Sequence, residues 1–467
     1  MVQKRLGWIV IFLAGWWLRV PGLFANRFFA DEALFATWAR YIAVWREPFL
    51  QGLPVDKPPL LFYTQALFYP LFGPVTWAAR MPNLLASLVL IAVTAVFVRR
   101  CFLQQETAVL AATLVALSPM AIQFSPTAFI DPLLTALVMG SLAWHKRPPL
   151  SGLLFGLALL TKYQALLFLP LLAAFAWLDS WHFRAIRQWM AGFLPTAALY
   201  LLWDIGRTGT LSLFQQQVSN YGGIRLAWSW ELWPRLVAWA RLWWLAWGGW
   251  PLLLVGGALV LLPFWAKPTA PKAAVDWVLG GFVTGYTAVH WLLAIPAWDR
   301  YLLPGAPLTA VLLARFIMAA FPKRFNRYSL IINCGLVVLF LLPGAWQARN
   351  GRLPIGGSPT ADSGAQEIAQ LLYDAPYGTV LYDHWYSWQW RYHLFDRRVY
   401  VSWLPYPAAL ADELAAFGQD GAPRYVALPA DERARPFMMA VSQVGSQLVD
   451  ISPPSATGIR LYQIVPH

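Results

Sequence analysis

The chain has 467 residues, of which 59% are hydrophobic and 12% charged, with 28 Trp, a composition that excludes an ordinary soluble domain and describes a polytopic membrane protein. The formal charge of +13 would fit nucleic acid only if it were spread along the chain. Residues 347–467 carry 9 Lys+Arg against 11 Asp+Glu, so the excess sits with the apolar part, in short clusters of the kind that orient a membrane protein, and no nucleic-acid partner is expected.

Lys4 and Arg5 precede an apolar run over about 6–24 that lacks a small-residue cleavage site, and is expected to be a retained first span with a cytoplasmic N-terminus. Next comes DEALFATWARYIAVWR, in which Leu34, Trp38, Tyr41 and Trp45 recur at helical spacing. This predicts an interfacial amphipathic helix with Asp31 and Glu32 in its first turn. Lys57-Pro58-Pro59 then opens a second interfacial helix. Further basic clusters stand at Arg99-Arg100, His145 to Arg147, His182 to Arg187, Lys267 to Lys272 and Lys323 to Arg327. If all are cytoplasmic, each neighbouring pair encloses an even number of crossings.

That parity places spans near 106–121 and 127–144 and splits the run 150–178 at Thr161-Lys162, since one straight helix would bury Lys162 at mid-membrane. Two half-length helices meeting there imply a protein-lined cavity. With one crossing before Arg99-Arg100, spans near 188–204, 237–263, 275–295, 301–320 and 328–346 complete about eleven crossings. The expected fold class is therefore a polytopic α-helical membrane protein, 1–346, carrying a small extracytoplasmic α/β domain, 347–467. In that domain a helix is read over 364–373, strands in TVLYD, RRVYVSW, RYVAL and 459–464, and a helix over 407–417. Cys101 and Cys334 match no metal or disulfide spacing.

With this topology Asp31, Glu32, Asp56, Lys57, Arg80, Asp131, Lys162, Asp299 and Arg300 all fall at the outer boundary. Ionisable groups near a bilayer are expensive, and a cluster of mixed sign marks a functional cavity. Each member also has a plainer explanation. Asp31 and Glu32 complement a helix dipole, Asp131 before Pro132 caps a helix, Lys162 snorkels, and Asp299-Arg300 forms an interfacial ion pair. His290, His384 and His393 are structural rather than metal ligands on this reading, and no metal site is expected from His or Cys spacing.

Six stretches in order, RFFADEALFATWARYI, DKPPLLFYTQALFYPLFG, AARMPNLLASL, LSPMAIQFSPTAFIDPLLTAL, GLALLTKYQALLFLP and DRYLLPGAPLTAVLLA, resemble the successive signatures of the GT-C superfamily. The similarity is to its bacterial protein O-mannosyltransferase and aminoarabinose transferase branch, and covers about residues 1–320. The resemblance implies an integral-membrane glycosyltransferase that takes a monosaccharide from a polyprenyl-phosphate donor at the outer face of the plasma membrane. Asp31 is then the general base and Glu32 its orienting partner. Lys57, Lys162 and Arg300, with Arg80 and Tyr301, are the candidates to hold the donor phosphate. Asp56, Asp131 and Asp299 support the site or the acceptor, and a divalent cation near Asp56 is the one cofactor the resemblance raises. The expected partners are the lipid-linked sugar, the bilayer and a protein, lipid or glycan acceptor.

A transporter or flippase for a lipid-linked sugar would need the same cavity and cations. Transporters place their charges near the midplane between related halves, whereas this chain shows no internal repeat. The loop QQQVSNYGGIRLAWSW, 215–230, is expected to cover the cavity, and DHWYSWQWRYHLFDRR, 383–398, reads as an aromatic-rich helix of the outer domain.

Overall fold

The computed structural model describes residues 2–220, 225–249, 271–320, 329–418 and 420–466. The second half of the expected 237–263 span, Gly222-Gly223 and most of the basic clusters at 267–272 and 323–327 lie outside the described residues. By proximity the chain forms two compact units: Met1–Ala25 with Ala39–Ser358, and Asn26–Trp38 with Pro359–His467.

The first unit is helical. Among the described residues four helices are long and apolar enough to cross a membrane: Leu6–Ala25, Thr76–Phe102, Asp299–Ala319 and Leu330–Arg349. Shorter apolar helices lie between them, at Leu60–Phe72, Gln105–Leu117, Asp131–Ala143, Pro148–Leu159 and Tyr163–Leu178. The break expected at Thr161-Lys162 is present: helix Pro148–Leu159 stops, Lys162 is extended (φ −162°), and a 3-10 turn over Tyr163–Phe168 restarts the chain toward helix Leu169–Leu178. Each freed backbone group must find a partner inside the protein. The Leu160 carbonyl finds the amide of Leu60, 2.9 Å away, which ties the Asp56–Pro59 segment to the break.

Helix Pro148–Leu159 packs against Phe183–Thr208 through glycines. A Cβ at Gly152 would fall onto the Trp189 carbonyl, one at Gly156 onto the Thr196 hydroxyl, and one at Gly192 onto the Pro149 carbonyl. Small residues four apart let helix backbones touch where apolar burial supplies no driving force, as in lipid. A basic side chain inside the first helix is satisfied in a similar way. Arg19 donates to Ser87 Oγ (2.9 Å), Ser125 Oγ (3.0 Å) and the carbonyls of Gly15, Val115 and Ala116, so this fully buried guanidinium is a packing element.

The second unit is a five-stranded sheet in the order β2-β1-β3-β5-β4. Its strands are β1 (Thr379–Asp383), β2 (Val399–Trp403), β3 (Arg424–Pro429), β4 (Ser446–Asp450) and β5 (Ile459–Pro466). β1 pairs in parallel with β2 and β3, and β5 lies antiparallel between β3 and β4. Strand alternation divides the buried side chains between two faces. Leu381, Ala427 and Leu461 pack with Ile368, Ala369 and Trp390, while Tyr382, Val426, Leu428 and Ile464 pack with Leu410, Leu414, Phe437 and Val441. Helices Ala365–Leu371 and Ser387–His393 thus cover one face, and Pro407–Phe417 and Arg435–Gln443 the other. Residues 26–38 join this unit through the Arg27–Glu367 ion pair, Phe28 edge-on to Tyr392 at 4.9 Å, and Trp38 edge-on to Trp388 at 6.4 Å.

Candidate active site

The site in the first unit is built around Asp131. Pro132 stands at the start of helix Asp131–Ala143, as a capping role would require, yet the residue in the N-cap position is Ile130, and no side chain caps the helix. The Asp131 carboxylate turns elsewhere: Oδ1 accepts from Lys162 Nζ at 2.6 Å, and Oδ2 faces Arg300 Nε at 3.9 Å. The carboxylate is fully buried and Lys162 nearly so. Capping and snorkelling, the plainer readings of these two residues, are therefore replaced by a buried ion pair.

Aromatic rings complete the cradle. Lys162 Nζ lies 4.2 Å from the ring centroid of Tyr301, and the Arg300 guanidinium lies 4.9 Å from Phe129 and 4.7 Å from Trp298. Ring faces stabilise cations without neutralising them. Tyr301 is fixed in turn, its carbonyl accepting from Tyr286 Oη at 2.7 Å and Gln164 Nε2 at 3.2 Å. His290 backs this network, its Nδ1 donating to the Tyr286 carbonyl at 2.8 Å, which is the structural role expected of it. Asp299 Oδ1 accepts the Arg300 amide at 2.8 Å and its Oδ2 the Gly356 amide at 2.7 Å, so its charge is taken up by backbone and it orients the turn that presents Arg300.

Asp56 and Lys57 form an ion pair, and Asp56 Oδ2 also accepts from Asn220 Nδ2 at 2.9 Å. Asn220 ends helix Leu213–Asn220, which overlaps the first part of the loop expected to cover the cavity. Arg80 is fully buried on helix Thr76–Phe102, one turn before Asn83. Asn83 Nδ2 donates to the carbonyls of Thr127 (2.7 Å) and Phe129 (2.5 Å), fixing the loop that carries the ring beneath Arg300. The centre so assembled sets Lys162 and Arg300 against Asp131, an excess of positive charge.

Next to it lies an apolar cavity of about 520 Å³, walled by Leu166, Leu171, Trp277, Phe282, Tyr286 and Val289 among others. Gly281 and Gly285 also line it, and a Cβ at either would meet nothing within 4 Å. Tyr286 belongs to both regions, its ring to the cavity wall and its hydroxyl to the network under Tyr301.

Asp31 and Glu32 belong to the second unit, in the first turn of helix Ala30–Ala43, where Glu32 Oε2 accepts the Phe29 amide at 3.1 Å. Among the described residues no three His, Cys, Asp or Glu side chains converge as metal ligands. Sequence reasoning passed over Gln164, Phe129 and Trp298; the available signal was a second polar residue two positions after Lys162, and aromatics flanking Asp131 and Arg300.

Residues 56–203 match the family described as dolichyl-phosphate-mannose-protein mannosyltransferase. No curated protein matches the chain. Two crystal structures of ArnT from Cupriavidus metallidurans are similar to it. The apo form has 14% identity and a TM-score of 0.69, and the form bound to undecaprenyl phosphate has 15% and 0.64; in both, 98% of each chain is covered. The chain therefore has the fold seen in these two structures.

Proposed function

We propose that the protein is an inverting glycosyltransferase that moves a monosaccharide from a polyprenyl-phosphate donor to a hydroxyl acceptor at the outer face of the plasma membrane. The observation that carries this reading is the pairing of a buried, net-positive centre, Asp131–Lys162–Arg300, with an apolar cavity of about 520 Å³ that shares Tyr286 with it. A donor of this class has two parts of opposite chemistry, a phosphate that needs cations and a chain that needs an apolar wall. The match over 56–203 and the ArnT structure with undecaprenyl phosphate support the same donor class. The basic clusters support an outer-face site, with the shorter helices completing about eleven crossings and the α/β unit extracytoplasmic.

In the reaction the acceptor hydroxyl loses its proton to Asp31 as its oxygen attacks the anomeric carbon. The bond from that carbon to the phosphate oxygen breaks, the oxygen keeps the electron pair, and configuration inverts. Lys162, Arg300 and Lys57, with Arg80 and Tyr301, stabilise the departing phosphate, which needs no acid because it leaves as an anion. Glu32 orients Asp31. Asp131 holds Lys162 and Arg300 in place, and Asp299 fixes the Arg300 turn. Asp56 is engaged by Lys57 and Asn220, a donor set that does not suit a divalent cation, so no step is routed through a metal.

The test is reconstitution of the purified protein with polyprenyl-phosphate sugars and hydroxyl acceptors. Transfer that is lost in Asp31→Asn is expected. Movement of intact donor across the bilayer without transfer would favour the transporter reading and sink this one.

A further inference from the structure

A second charged cavity lies at the far end of helix Thr76–Phe102 from Arg80, roughly 30 Å away at 1.5 Å per residue. It measures about 630 Å³ and is lined by Val96, Arg99, Arg100, Leu103, Lys146 and Arg147. The transfer reaction uses none of these residues.

The four cations are not equivalent. Arg100 is committed to structure, its Nη1 donating to the Ala143 carbonyl at 2.8 Å and its guanidinium lying 4.9 Å from the Trp144 ring. Lys146 stands 4.0 Å from Asp179 Oδ1, while Oδ2 of the same carboxylate faces His145 Nε2 at 3.1 Å. The guanidinium groups of Arg99 and Arg147 have no hydrogen bond or ion pair among the described residues. A preference for basic residues at one membrane face accounts for their presence. It does not account for a cavity between them, nor for its aliphatic wall. Leu85, Val89, Val96 and Arg100 recur on one helix face, with Leu85 45% and Val89 53% exposed, and Leu103, which ends the helix in a left-handed turn, is 82% exposed at the rim. An apolar stripe thus runs along the helix and ends among unspent guanidinium groups.

We propose that this cavity binds the phosphate headgroup of an anionic phospholipid, with an acyl chain along Val96, Val89 and Leu85. Phosphate is the shared chemistry of lipid and free anion; the stripe selects the lipid, because an inorganic anion has no use for it. The inference is independent of the transfer reaction.

Native mass spectrometry of the full chain in detergent tests it, with phosphatidylglycerol, phosphatidylcholine or inorganic phosphate added. Wild type should retain phosphatidylglycerol in preference to phosphatidylcholine, and Arg99→Gln/Arg147→Gln should weaken that retention about tenfold. Arg99→Lys/Arg147→Lys should keep most of it, since a point charge still meets a phosphate. Equal retention by wild type and the glutamine pair, or no preference for the anionic lipid, overturns the site. Displacement of the lipid by equimolar inorganic phosphate overturns the lipid as its occupant. Should the glutamine pair not fold, Lys146→Gln must show a smaller loss of the same kind, and its absence counts against the proposal equally.

Discussion

Lys162 Nζ meets Asp131 Oδ1 at 2.6 Å with both side chains sealed from solvent, at the point where one run of apolar sequence breaks into two helices. An ion pair in such a place is stabilised only as a pair. Removing one partner alone, by Asp131→Ala or Lys162→Met, leaves a buried charge and should cost about 3–5 kcal/mol. Replacing both with apolar residues of similar volume should restore most of that stability while transfer stays absent. Thermal unfolding in detergent beside a transfer assay reads both; a double replacement as unstable as the singles would show that the pair is not the linked unit described.

Asp31 and the cations should separate kinetically. Loss of a general base slows the chemical step about 100- to 10,000-fold, so Asp31→Asn should lower kcat with little change in KM for the donor. Arg300→Lys keeps the charge but loses the planar contact with Phe129 and Trp298, and should raise donor KM as well as lower kcat. Steady-state kinetics with a fixed acceptor distinguish them, and identical profiles would contradict the roles assigned.

The apolar cavity can be filled without disturbing the fold. Because open space surrounds a Cβ at Gly281 and at Gly285, Gly281→Leu or Gly285→Leu should fold normally and occupy the volume a lipid chain would take. Donors with long polyprenyl chains should then show KM raised by about tenfold, as apolar contact area is lost. Short-chain donors should be nearly unaffected. A loss independent of chain length would remove the cavity from the donor path.

Chelation should leave transfer unchanged, because Asp56 is held by Lys57 and Asn220. A rate measured after exhaustive treatment with EDTA and restored by a divalent ion would require the Asp56 surroundings to rearrange.

In the second unit, burial raises the Asp383 carboxyl above its usual range, against the opposing hydrogen bonds of its neighbours. Its carboxylate accepts from the Tyr386 amide and the Ser387 hydroxyl. A folded state with the higher pKa binds more protons than the unfolded chain, so this residue favours folding at low pH and loses that contribution as pH rises through its folded value. Asp383→Asn should therefore flatten the pH dependence. Hydrogen exchange of the β1 segment in the full chain, corrected for intrinsic rates, should show wild-type protection falling between acid and neutral pH and the variant changing less.

Composition and charge parity were enough to read a membrane protein with a helix break at Thr161-Lys162, since both follow from the cost of exposing polar groups to lipid. Local periodicity likewise located TVLYD at β1 and 407–417 as a helix. β4 escaped notice because SQLVD lies at the sheet edge and is largely exposed, whereas helix Arg435–Gln443 was missed although Phe437, Ala440 and Val441 recur at helical spacing on its buried face. No sequence rule could tell that Asp131 leaves its helix uncapped to hold Lys162 and face Arg300. Those residues are 31 and 169 positions away, and only the packing of helices decides which buried charges must neutralise one another. The assignment of Asp56 to Lys57 and Asn220 arose in the same way. Lipid restricts where charges can lie along the chain; the folded interior chooses their partners, because a charge removed from water must be met by whichever opposite group or dipole the fold brings within reach.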